Sequence, residues 1–150
     1  MIVKPYLLPL FTVLLISGCG GAKGPDVQFV EGVVNFDGKP LSKALVVFHP
    51  KDGTSLAASG FTDDNGTFRL TSLRGGKNNG GAALGEYIVT FTRDKDEPTS
   101  YREVQEAGGM ERVPVYESLI PVRYIDPKTS GVSAVVEKKK NRFEFTLENK

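Results

Sequence analysis

From Val27 onward the chain alternates apolar and polar positions with a period of two rather than 3.6. That spacing puts one face of each segment in a core and the other in water, so it predicts strands. Val27 to Phe36 forms the first strand and closes at Asp37-Gly38, a dipeptide suited to a tight hairpin turn. Ala44 to His49 follows, with Ala44, Val46 and Phe48 on one face. Leu56 to Thr62 leads into Asp63-Asp64-Asn65-Gly66, and Thr67 to Leu73 resumes with Phe68 and Leu70 on one side. Glu86 to Arg93 turns Tyr87, Val89 and Phe91 inward. Val132 to Glu137 and Arg142 to Leu147 are expected to pair as a last hairpin, with Val132, Ala134 and Val136 facing Phe143, Phe145 and Leu147. The expectation is an all-β fold, a seven-stranded antiparallel β-sandwich of two packed layers.

Two segments interrupt this rhythm. Arg74 to Leu84 is rich in glycine and asparagine and reads as a loop with nothing to bury. Asp94 to Gly131 is a long insertion, of a length that often carries function when it occurs in a compact domain. Within it, Ser100-Tyr101-Arg102-Glu103 has the spacing of a capping box. A short helix over Tyr101 to Ala107, stopped by Gly108-Gly109, is the expectation there. Val113 to Ile125 contains Pro114 and Pro121 and reads as extended chain along the sandwich, with Tyr116, Leu119, Ile120 and Tyr124 as anchors.

The N-terminus changes the picture of where such a domain works. Lys4 precedes an apolar run from Tyr6 to Ile16, of signal-peptide length and too short for a membrane-spanning helix. It closes on Leu15-Ile16-Ser17-Gly18-Cys19, which looks like a bacterial lipobox, with Ile16 where leucine is commoner. Residues 1–18 are then a signal peptide, Cys19 the lipidation site, 19–26 a flexible tether and 27–150 the sandwich domain, with its insertion at 94–131. Two or three acyl chains on Cys19 would anchor the protein firmly, since a single chain gives only marginal binding. The alternatives are plain secretion with a free thiol, or a cysteine buried as a small hydrophobe. The partner expected first is therefore a membrane, facing the periplasm or the outside of the cell envelope.

Composition removes several classes of function. The chain has 19 basic and 18 acidic side chains, and loss of the leader takes Lys4 and leaves the two equal. That balance does not suggest nucleic acid, which selects a basic face. A single cysteine allows no internal disulfide. One histidine, His49, and one cysteine cannot build a four-ligand zinc site. Asp63-Asp64-Asn65-Gly66 falls short of a calcium loop, whose ligands spread over twelve positions, and reads as a turn. No Gly-x-Ser-x-Gly elbow is present. No metal, cofactor or catalytic residue is expected. Lys138-Lys139-Lys140 reads as a solvated turn, short of a dedicated lipid-binding cluster. Candidate recognition residues are the arginines and tyrosines of the insertion, types common in binding hot spots: Tyr101, Arg102, Tyr116, Arg123 and Tyr124, with Arg112 beside them. The reading preferred for the tyrosines is nonetheless that they pin the insertion to the sheet.

Three patterns occur in order: Asp37-Gly38-Lys39-Pro40-Leu41 running into Ala44-Leu45-Val46-Val47-Phe48, Thr62 to Leu70, and Gly85-Glu86-Tyr87-Ile88-Val89-Thr90-Phe91. Together they resemble the carboxypeptidase regulatory-like domain, a transthyretin-like (prealbumin/Ig-like) β-sandwich. The stretch Leu119 to Gly131 is similar to that of short bacterial lipoproteins carrying this domain. The resemblance implies a non-catalytic β module, acting as a binding or structural element with an envelope protein or a glycan as partner. A glycan- or small-ligand-binding lipoprotein using residues 94–131 is the second expectation, and a hydrolase the third.

Overall fold

A computed structural model describes residues 26–53, 55–74, 77–106 and 108–150. Residues 1–25, on which the expected leader, Cys19 and most of the expected tether fall, lie outside the described residues. In chain order the strands are β1 (Val27–Gln28), β2 (Val30–Phe36), β3 (Lys39–Pro40), β4 (Leu45–Pro50), β5 (Ala58–Phe61), β6 (Thr67–Arg69) and β7 (Thr71–Arg74). Then come β8 (Lys77–Gly80), β9 (Ala82–Ala83), β10 (Gly85–Thr92), β11 (Ser100–Glu106), β12 (Gly109–Val115), a 3-10 turn at Val122–Tyr124, β13 (Ser133–Val136) and β14 (Asn141–Leu147).

The fold is an all-β sandwich. Six strands form one layer in the order β13-β10-β4-β5-β7-β8, while β14-β2-β3, with β6 also on β2, forms the other. Two small ribbons, β1-β9 and β11-β12, stand outside these layers. The core is what the alternation specifies: Val30 and Val34 from β2, Val46 and Phe48 from β4, Tyr87, Val89 and Phe91 from β10, and Phe145 and Leu147 from β14 are all buried. Phe48 is its centre, with ring contacts to Phe68, Tyr87, Phe143 and Phe145 at 5.6–6.4 Å between centroids. Tilted and edge-on pairs of this kind add to the area they bury.

The turns form as their residues demand. Asp37 and Gly38 both take positive φ, 46° and 76°, and close the two-residue hairpin between β2 and β3. In the turn at 63–66, Asp63 Oδ1 accepts the N–H groups of Asn65 (2.9 Å) and Thr67 (2.8 Å). Gly66 has φ +73°, and a Cβ there would sit 2.5 Å from the Val34 carbonyl oxygen. The carboxylate of Asp63 thus organises a backbone turn.

Four expectations are corrected. Strands β13 and β14 do not pair as a hairpin. β13 lies antiparallel on β10 in one layer and β14 runs parallel to β2 in the other. Ala134 and Val136 still oppose Phe145 and Leu147, but across the core rather than side by side, and the sandwich is therefore not purely antiparallel. Asn141 holds the arch between them: its Oδ1 accepts from the Glu137 N–H at 3.0 Å and its Nδ2 donates to the Glu137 and Lys139 carbonyls.

The single strand expected at Thr67 to Leu73 is two. β6 pairs with β2 and β7 with β5, so the chain changes layers at the buried Leu70. The stretch from 74 to 84 holds β8 and β9, and Ala82 and Ala83 are buried. Finally, residues 101–106 are strand, not helix. β12 folds back on β11 just after Glu106, with Gly108 in the turn and Gly109, at φ +129°, opening β12 opposite Glu106, and a seven-residue helix without a packing face would have little to hold it.

Candidate functional site

The insertion divides into two parts with different fates. The first leaves the end of β10 as an isolated antiparallel ribbon. Its base is an isolated bridge between Asp94 and Ser118, and the Lys95 N–H donates to the Glu117 carbonyl at 2.9 Å. Asp96 fixes that base to the body, accepting from Lys43 Nζ at 3.1 Å and lying 3.2 Å from Arg93 Nη1. The Lys43 ammonium and the Arg93 guanidinium beside it hold its carboxyl below the usual carboxylate range. Arg93 is in turn held by the Ser42 carbonyl, which its Nε meets at 2.9 Å.

Beyond this base the ribbon is wet on both faces. Only Val104 and Val113 are even partly buried along β11 and β12. The register pairs Tyr101 with Pro114, Glu103 with Arg112 and Gln105 with Met110, so these six side chains share one face. Tyr101 is 56% exposed and Met110 62%. The Arg112 guanidinium lies 5.0 Å from the Tyr101 ring centroid, a cation–π contact that orients both. Arg102 pairs with Val113 and belongs to the opposite face, so the neighbours Tyr101 and Arg102 do not form one surface. Tyr116, just past β12, is also exposed.

From Asp94 to Ser118 there are seven acidic and three basic residues, which makes the ribbon acidic on a chain whose charges nearly balance as a whole. Pro114 lacks an N–H, and the charges along the strands discourage pairing of further strands at the edges. What the ribbon offers is therefore a face.

The second part returns to the body. Ile120 and Tyr124 are buried, as expected of anchors, while Leu119 and Tyr116 are not. The Tyr124 ring meets Phe91 edge-on, and its hydroxyl accepts from the Glu148 N–H at 3.1 Å. Arg123 Nη2 donates to that hydroxyl and to the Glu148 carbonyl, each at 2.8 Å, with its guanidinium 4.6 Å from the Tyr124 ring centroid. Arg123 and Tyr124 thus clamp the chain as it leaves β14.

A third cluster was not legible in the sequence. Glu31 on β2 has cross-strand neighbours Arg69 on β6 and Arg142 on β14. Its carboxylate lies 4.0 Å from Arg69, 3.6 Å from Lys140 and 3.8 Å from Arg142, three cations sharing one anion. The carboxylate is 14% exposed and the cations more than 70%. A cavity of about 470 Å³ lined by Val33, Arg142, Phe143 and Glu144 lies beside it. Residues far apart in the chain converge here through a parallel strand pair, which no local signal announces.

His49 is half-buried, with Nε2 2.9 Å from Thr90 Oγ1, and burial lowers its pKa. No group of three or more metal-ligating side chains occurs among the described residues, and among them no helix is long and apolar enough to cross a membrane.

Compared with known proteins, the chain matches no protein-family model and no curated protein. Among solved structures it is similar to the major pilin subunit of Bacillus cereus, with a TM-score of 0.40 and 15% identity over 83% of this chain and 30% of that one. It is also similar to a 9R-lipoxygenase from Cyanothece PCC8801, with a TM-score of 0.37 and 16% identity over 81% of this chain and 16% of that one. The chain spans less than a third of either protein.

Proposed function

We propose that this protein is a lipid-anchored, non-catalytic β-sandwich of the cell envelope that presents its acidic ribbon to a protein partner. The lipobox-like segment ending at Cys19 supports the anchor, and the ordered motifs from Asp37 to Phe91 support a module of the carboxypeptidase regulatory-like kind. One observation carries the choice of the ribbon: it leaves the distal end of β10, away from the end where the N-terminal segment joins, with Tyr101 and Met110 exposed on one face. Exposed aromatic and methionine side chains around an arginine are the composition of a recognition surface. The second reading, a glycan-binding lipoprotein, draws on the exposed Tyr101 and Tyr116 rings.

Three measurements test this. Mass spectrometry of native material is expected to show acylated Cys19 as the first residue; an unmodified thiol on an uncleaved chain sinks the anchor. A photo-crosslinking residue at Tyr101 is expected to capture a discrete protein in cells. The same probe at Val135, on the outer face of β13, is expected to capture none. Equal capture at both positions removes the ribbon's role, and hits on a glycan array that vanish with Tyr101→Ser transfer it to the second reading.

A further inference from the structure

We propose that the end of the sandwich nearest the N-terminal segment is a docking surface for anionic lipid headgroups, with Arg69, Lys140 and Arg142 as its cations and Phe29 as its apolar contact. The inference rests on the lipid-anchor reading for its biological setting and on the fold for its geometry. The strand registers place these residues together. β2 and β14 begin side by side, Val30 opposite Asn141. β1 pairs with β9, which leads directly into β10, and Gly85 at the start of β10 pairs with Val136 at the end of β13. The start of the described chain, the 137–141 arch and the Glu31 cluster therefore share one end, while the acidic ribbon leaves the other.

The charge at this end is unbalanced where it is most exposed. Three exposed cations share the single, largely covered carboxylate of Glu31. Lys138 adds another exposed cation in the arch. The carboxylates nearby are otherwise met: Glu137 pairs with Lys139, and Glu86 with Lys51. Asp26, at the start of the described chain, Asp52, which accepts from Ser55 just past β4, and Glu144, on β14, are the other anions at this end. Phe29 is 46% exposed, and the Arg69 guanidinium lies 5.8 Å from its ring centroid. Clusters of lysine and arginine beside a membrane attachment are drawn to anionic headgroups.

Tether length keeps the contact within reach once Cys19 is in the bilayer. Gly20 to Asp26 is seven residues, which fully extended span at most about 25 Å. That is no more than the length of one long strand such as β10, roughly 27 Å. The cationic end thus stays within about 25 Å of the headgroups, about three Debye lengths at physiological salt, while the acidic ribbon leaves the opposite end of the sandwich.

The test uses the full chain carrying Cys19→Ser, so that acylation plays no part, with vesicles of phosphatidylcholine with or without phosphatidylglycerol. Co-sedimentation is expected only with phosphatidylglycerol present, or roughly tenfold more than without it, and to be lost at about 0.5 M salt. Arg69→Gln/Lys140→Gln/Arg142→Gln is expected to abolish the difference, while Arg69→Lys/Arg142→Lys keeps it. An equal thermal midpoint for both variants shows that each is folded. Equal sedimentation with the two vesicle types, or an unchanged preference in the triple glutamine variant, overturns the proposal. Competition by inorganic phosphate at constant ionic strength also overturns it, in favour of a discrete phosphate site. An unmodified Cys19 in native material would sink the anchor and leave this result standing.

Discussion

The sandwich body and the ribbon at 94–118 are built from the same secondary structure and differ in almost everything else. In the body, the core strands β2, β4, β10, β13 and β14 each have an apolar face, and burying that face against the opposite layer supplies the stability. In the ribbon, opposed pairs such as Glu103–Arg112 and Gln105–Met110 are polar or mixed, and neither face is covered. A two-stranded ribbon is marginal alone in water. This one persists because its base is tied down by Asp96, Arg93 and Lys43, and by the paired Lys95 and Glu117. The contrast teaches that a strand can be specified by its neighbour's turn and attachment without a hydrophobic stripe of its own. Such a strand is free to carry residues chosen for contact with something else.

The sharpest way to break this comparison is to damage the body. Phe48→Ala removes the ring at the centre of the aromatic core and is expected to cost about 3–5 kcal/mol, measured by denaturant unfolding. A loss below about 1 kcal/mol would mean that the core is not where stability resides.

A smaller effect separates the two parts of the insertion. Tyr124→Phe keeps the buried ring against Phe91 but removes the hydroxyl that accepts from Glu148 and Arg123. Its expected cost is about 1 kcal/mol, with faster amide exchange at Glu148. If the variant is as stable as the parent and exchange there is unchanged, the clamp has no mechanical role.

The smallest effect belongs to the ribbon. Tyr101→Ala is expected to change unfolding stability by no more than about 0.5 kcal/mol, as surface substitutions usually do. A cost comparable to that of Tyr124→Phe would show that the ribbon is a structural brace. Two tyrosines of one insertion are thus expected to behave oppositely, because one ring is 7% exposed and the other 56%.

The reading of the sequence succeeded where stability is local and one-sided. Alternation located the inward residues of β2, β4, β10 and β14, because a strand with one buried face must repeat every two residues. Turn chemistry located the bends at Asp37-Gly38 and at Asp63 to Gly66, because few residues adopt those backbone angles. It failed at the ribbon for the same physical reason. With no apolar stripe to betray its period, Ser100 to Glu103 offered only a capping pattern, and that pattern fits a helix as well as an exposed strand.

What the sequence by itself determined, then, is the buried face of the main strands β2, β4, β10 and β14, the turns at Asp37-Gly38 and Asp63 to Gly66, and the cysteine motif ahead of them. Which strands became neighbours was decided only by the tertiary structure. The layer change at Leu70, the parallel pairing of β14 with β2 and the arch at Asn141 all depend on contacts between residues distant in the chain. Alternation states that a face must be buried, not against which partner. The meeting of Arg69, Lys140 and Arg142 around Glu31 is a product of that pairing, as is the separation of Tyr101 from Tyr124. The cationic surface was therefore invisible until the layers closed, whereas the ribbon lies in the insertion that the sequence had already singled out.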